Sequence, residues 1–143
     1  MRIASLLASS TEIVAALDLT DDLVAVSHCC DWPPQVRDLP ALTSALFEAQ
    51  TARDIDEAVR AKLQGQDAIY ALDAQALAAL KPDLVISQAL CDVCAVSGAE
   101  VSTVLSDLDP QPTLVNLEPY SLRDILETIT MIGEAAGVAD RAA

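Results

Sequence analysis

An α/β fold, a parallel sheet covered by helices on both faces, is predicted by three features of the sequence. Short apolar runs alternate with segments of helical period. The runs read as strands buried on both sides. Helix-opening signatures of the Ser-x-x-acid type stand at two of the junctions.

Taken in order, Ile3 to Leu7 is the first apolar run. Ser9-x-x-Glu12 fits a capping box opening a helix through Ile13, Val14 and Leu17. Leu23 to Val26 is the second buried strand, ending in the polar loop Ser27 to Pro34, whose consecutive prolines exclude a continuing helix or a central strand. Ile55, Val59 and Leu63 recur every four residues and predict a helix over 52–64. Asp73 caps a helix through Leu77 and Leu80 that Lys81-Pro82-Asp83 breaks, and Leu84 to Ile86 forms a third buried strand. The loop Gln88 to Cys94 follows, then a helix marked by Val101, Val104, Leu105 and Leu108, and a strand over Thr113 to Leu117. Ser121-x-x-Asp124 opens the last helix, with Leu122, Ile125, Leu126, Ile129 and Ile132 at helical spacing. The chain contains no internal repeat, low-complexity tract or linker.

The 143 residues are enough for one domain, or one lobe of a larger protein. At 52% hydrophobic, the chain has the material for a core. That material is small and aliphatic, with 25 Ala and 20 Leu against four aromatics, Trp32, Phe47, Tyr70 and Tyr120. The net charge of −14 would repel phosphates, which excludes nucleic acid and anionic membranes as partners. The acidity reads either as a surface adapted to high salt or as the composition of a high-GC genome. No segment reaches the length of a membrane span, and the N-terminus is too short in apolar residues for a signal peptide. The expected location is therefore cytoplasmic as written, or periplasmic or cell-surface where a leader has been removed.

In an open parallel sheet, ligands gather at the carboxyl ends of the strands. Three loops lie there: Ser9-Ser10-Thr11, His28 to Trp32, and Gln88 to Cys94. If the second and third strands are neighbours, His28, Cys30, Cys91 and Cys94 converge into a ligand set for zinc or another thiophilic metal, with Cys29 as a spare thiol. The same four cysteines also fit a reduced structural cluster, or a redox disulfide at Cys91-x-x-Cys94. Glu12, Asp31 and Asp92 flank these loops as caps or solvated carboxylates. No enzyme constellation stands out: there is a single His, no nucleophile elbow and no phosphate-binding glycine motif. A Cys–His pair from adjacent loop positions has no further support in the sequence.

Three segments carry a family resemblance: Ser5 to Ile13 (SLLASSTEI), Val26 to Pro34 (VSHCCDWPP) and Leu80 to Gln88 (LKPDLVISQ). They resemble the cobalamin-binding proteins of ABC importers, within the TroA-like, helical-backbone class of substrate-binding proteins. Leu90 to Ser97 (LCDVCAVS) resembles a subgroup with paired cysteines after the third strand, and Leu117 to Leu122 (LEPYSL) resembles the entry to the class's long backbone helix.

The resemblance implies two lobes joined by one rigid helix, with cobalamin or a related corrinoid bound between them by a protein without catalytic activity. On that pattern, residues 1–120 are the first, Rossmann-like lobe, residues 121–143 start the backbone helix, and the second lobe is absent. Ligand-facing positions carry over to Ser9, Cys29, Ala45 and Gln88, with Ser10, Asp31, Trp32 and Leu90 beside them. Family members often place aromatics at the last three of the carried-over positions, where this chain has Cys, Ala and Gln. A family proline falls on Ala8, and family glycines fall on Asp18 and Ala25. The carboxylate offered to arginines of the transporter permease falls on Gln75, a neutral amide. Two other roles remain open: a Cys/His metal-binding module, and a one-lobe interaction protein that self-associates through the apolar face of its last helix.

Overall fold

The computed structural model describes residues 1–46, 51–63, 70–89 and 96–143. Four parallel strands make the main sheet: β1 (Ile3–Ser5), β2 (Leu23–Val26), β5 (Leu84–Gln88) and β6 (Thr113–Leu117), in the order β2-β1-β5-β6. A second, antiparallel pair joins β3 (Thr43–Ala45) to β4 (Tyr70–Leu72). The helices are α1 (Ala8–Ala16), α2 (Ala52–Leu63), α3 (Ala74–Leu80), α4 (Gly98–Ser106) and α5 (Leu122–Ala135).

Successive residues of a strand point to opposite faces, and the core divides accordingly. Ile3, Leu84 and Ile86 face Val14 and Leu17 of α1 and Ile132 of α5. Ala4, Ala25 and Val85 face Leu77 of α3 and Val101 and Leu105 of α4. Helices therefore cover both faces, as the apolar runs predict. Ala25 has no exposure and packs within this second cluster.

Two helix starts follow the sequence. Asp73 Oδ1 accepts from Ala76 N–H at 2.8 Å, and Ser121 with Asp124 forms a reciprocal capping box. The start of α1 does not. The helix begins one residue before Ser9, at Ala8, so Leu7 is the N-cap and no side chain caps it. Ser9 and Glu12 are both exposed inside the helix, so the expected capping box does not form. The neighbouring hydroxyls bond to the carbonyl side of the turn: Ser10 Oγ and Thr11 Oγ1 donate to Leu7 C=O at 3.0 and 3.1 Å.

Two residues beyond the end of α1, Asp18 is held at φ 57°, the left-handed conformation a glycine adopts most freely. α5 stops at Ala135, followed by Gly137 at φ 73° and a 3-10 turn over Ala139–Arg141. A Cβ on Gly133 would lie 2.4 Å from Ala142 Cβ, so glycine there lets this turn pack against α5. Among the described residues, no helix is long and apolar enough to cross a membrane.

Three features differ from the sequence reading. The β3–β4 pair has no three-residue signal strong enough to find, since its strands are too short for a period. The helix expected over 52–64 ends at Leu63, and Gln64 lies outside the described residues. The second strand and the Leu84 strand are not neighbours, because β1 lies between them.

Candidate functional site

The sheet order reverses direction at β1: the chain passes to β2 on one side and later to β5 and β6 on the other. A crevice opens outside the carboxyl ends of the strands at such a point. Among the described residues it includes two cavities that share Leu7, Ser9 and Gln88. The first, of about 250 Å³, adds Ser27, His28 and Cys29 after β2, Thr43 and Tyr70 from the β3–β4 pair, and Val96. The second, of about 240 Å³, is more apolar and adds Ile13, Leu117, Pro119, Ile125 and Thr128.

The loop after β2 is pinned by hydroxyls. Cys30 N–H donates to Ser27 C=O at 3.0 Å, and Cys29 N–H donates to Ser27 Oγ at 3.3 Å. His28 N–H donates to Thr43 Oγ1 at 3.1 Å, and His28 Nδ1 lies 2.6 Å from the same oxygen. Thr43 Oγ1 gives its own proton to Ser27 Oγ at 3.0 Å. On its other side the imidazole Nε2 is hydrogen-bonded to Cys29 Sγ at 3.3 Å. Partial burial pushes the His28 pKa down, which favours the neutral ring. Tyr70 stands beside the imidazole, ring centroids 5.3 Å apart.

The adjacent thiol has the opposite surroundings. Cys30 is buried, with Sγ 3.1 Å from Thr11 Oγ1, and burial pushes its pKa up. Cys29 is exposed. The pairing seen at the cavity is therefore His28 with Cys29, while Cys30 faces α1.

Of the positions named from sequence, the fold brings Ser9, His28, Cys29 and Gln88 together at the crevice. Ser10 lies beneath it, buried against Ser5 Oγ at 2.6 Å. Asp31 is exposed and its C=O accepts from Arg37 Nε at 2.9 Å. Trp32 is 59% exposed, and Ala45 is exposed on β3; neither lines the two cavities. Gln75 is exposed on the first turn of α3. Leu90, Cys91, Asp92 and Cys94 lie outside the described residues. Among the described residues, no group of three His, Cys, Asp or Glu side chains could hold a metal ion.

Thr43, Tyr70 and Ser27 were not singled out from the sequence. Tyr70 carried a signal, being one of four aromatics in the chain. The hairpin that delivers it to the cavity carried none.

The family model described as "periplasmic binding protein" matches residues 3–143, and the chain belongs to that family. Its fold is that of the TroA-like substrate-binding proteins. Comparison with curated protein sequences gives no match.

Among solved structures, the chain is similar to the periplasmic heme-binding protein RhuT from Roseiflexus sp. RS-1 in apo form. The identity is 22% over 99% of this chain and 43% of that one, with a TM-score of 0.67. It is also similar to the periplasmic vitamin B12 binding protein BtuF of Vibrio cholerae, with 24% identity, 99% and 44% coverage and a TM-score of 0.60. A third similar structure, a possible iron-binding (periplasmic solute-binding) protein from Staphylococcus epidermidis, has 23% identity, 99% and 44% coverage and a TM-score of 0.65. The chain spans less than half the length of each.

Proposed function

We propose that this chain is a ligand-binding lobe of an ABC-importer substrate-binding protein, and that its ligand is cobalamin or a related corrinoid. One observation carries the choice of ligand. In a chain of net charge −14, the described residues that line the two cavities include no ionised side chain. The polar lining is Ser9, Ser27, Thr43, Tyr70, Thr128 and Gln88, with a largely neutral His28. Such groups hydrogen-bond to primary amides, which fringe a corrinoid. Heme presents carboxylates, for which the described lining offers no cationic partner. The apolar second cavity suits the methyl-rich edge of the macrocycle.

The lobe acts by binding, not catalysis, and on this reading it works at the outer face of the membrane and delivers its ligand to a permease. Gln75 offers that permease a hydrogen bond without charge. Titration of the protein with cyanocobalamin and, separately, with hemin tests the ligand, by absorbance and by retention on gel filtration. Retention of cobalamin is expected. Retention of hemin alone, or of neither, overturns the reading.

A second reading rests on the last helix. Leu122, Ile125 and Leu126 are 75%, 51% and 59% exposed on α5, an apolar face open to a second copy of the chain. Light scattering at increasing concentration decides it: a dimer supports self-association, and a monomer throughout rejects it.

A further inference from the structure

We infer that Tyr70 and His28 form an aromatic wall in the first cavity, against which the ligand lays a neutral, planar, conjugated ring system. The inference rests on the reading above that this cavity receives the ligand, and it names the part of the ligand that the cavity grips.

The two polar edges of the imidazole are both occupied within the protein. Nδ1 lies 2.6 Å from Thr43 Oγ1, and Nε2 lies 3.3 Å from Cys29 Sγ. Whichever nitrogen carries the hydrogen, both have a partner, and the surface left to the cavity is the face of the ring. Tyr70 supplies the larger area. Its ring centroid stands 5.3 Å from that of His28, within the range of interacting aromatic pairs, with the planes 41° apart. At that tilt the rings meet as a shallow V and do not cover each other as a parallel stack would. Of Trp32, Tyr70 and Tyr120, only Tyr70 lines either cavity.

The hairpin holds this ring in place before a ligand arrives. Directly opposite Tyr70 stands Ala45, so the two side chains share one face of the β3–β4 pair. Ala45 brings a methyl group to that face, too small to cover a tyrosine ring. The hairpin is fastened beside β2: Val26 N–H donates to Pro40 C=O at 3.0 Å, and Leu42 N–H donates to Val26 C=O at 2.8 Å. Asp73 N–H closes the other side on Leu42 C=O at 2.8 Å. Tyr70 also packs on the core cluster of Leu77 and Val101. A ring fixed in this way loses little further freedom on stacking, so the contact favours flat ligands over puckered ones of equal polarity.

Titration of the wild-type protein, Tyr70→Phe, Tyr70→Leu and Tyr120→Leu with two probes tests the wall. One probe is cyanocobalamin, followed by absorbance. The other is lumiflavin, a neutral planar molecule that is not a corrinoid, followed by fluorescence quenching. Tyr70→Leu should weaken binding by about 3- to 10-fold, whereas Tyr70→Phe, which keeps the ring, should stay within about 2-fold. Tyr120→Leu, away from both cavities, should change neither. Circular dichroism checks that each variant is folded, and upfield shifts of the lumiflavin ring protons read stacking in the wild-type protein itself. Equal binding of cyanocobalamin by wild type and Tyr70→Leu overturns the wall and leaves the corrinoid reading standing. Loss of cyanocobalamin binding from the wild type, with lumiflavin bound in a Tyr70-dependent way, overturns the corrinoid reading and supports the wall. Binding of neither probe overturns both.

Discussion

The turn between β1 and α1 and the loop after β2 use the same chemistry to opposite ends. Each combines serine and threonine hydroxyls with a cysteine of the Cys29-Cys30 pair. In the first, Ser5, Ser10 and Thr11 bond to one another, to Leu7 C=O and to Cys30, and all are buried. In the second, Ser27 and Thr43 are also buried, but they aim His28 and Cys29 outward at a cavity. A polar network closed on itself holds a turn. One that ends on an exposed imidazole and thiol leaves that surface open to a ligand.

The thiols give the sharpest test of this contrast. In the native protein, iodoacetamide should modify Cys29 on the order of 100-fold faster than Cys30, which reacts only through local opening. Peptide mass mapping over time reads both rates. Comparable rates would mean that the two sides are not distinct.

Next in size is Thr11→Val, which removes the hydroxyl joining Ser5, Leu7 and Cys30. It should destabilise the protein by about 1–3 kcal/mol in urea unfolding. The imidazole nitrogen shifts of His28 should stay unchanged. Thr43→Val, which removes the hydroxyl bonded to Nδ1, should instead move them. If Thr11→Val moves the ring as well, the two networks are coupled.

Helix starts extend the comparison at smaller scale. Ser121→Ala removes a formed capping box and should cost about 1 kcal/mol. Ser9→Ala, at the same sequence signature, should change stability by less than about 0.5 kcal/mol. Equal effects in chemical denaturation would contradict the assigned start of α1.

The smallest effect is a pH dependence. The Ser121 side chain, then the N–H of Tyr120 and of Ser121, hold the Asp124 carboxyl below its ordinary range of about 4. A depressed folded pKa means that the unfolded chain takes up the proton first as pH falls. The contribution is present above the unfolded value and is lost as pH drops through the folded one. Asp124→Asn should flatten that part of the acid-unfolding curve, and an unchanged slope would contradict the box.

These contrasts also show what was legible beforehand. Ser9-x-x-Glu12 and Ser121-x-x-Asp124 are alike on paper. They differ because the start of α1 is packed against strand ends, where Leu6 N–H still pairs with Ile86 C=O, whereas α5 starts on the surface. Local pattern decides a cap only where tertiary packing leaves the turn free. His28, Cys29, Ser9 and Gln88 were identified because they follow strands, and strand ends are where such sheets bind. Thr43 and Tyr70 were not, because strands of three residues have no readable period.

By itself, the sequence determined the α/β class, four parallel strands, the principal helices and the chain stretches that carry the crevice. Apolar period and capping residues encode those features within a few residues of chain. Only the tertiary structure decided that β1 separates β2 from β5, that Cys29 rather than Cys30 stands with His28, and that the described residues lining the cavities are uncharged. Each of these depends on residues far apart in the chain meeting across a sheet, where one residue of register sends a side chain to the core or to the cleft.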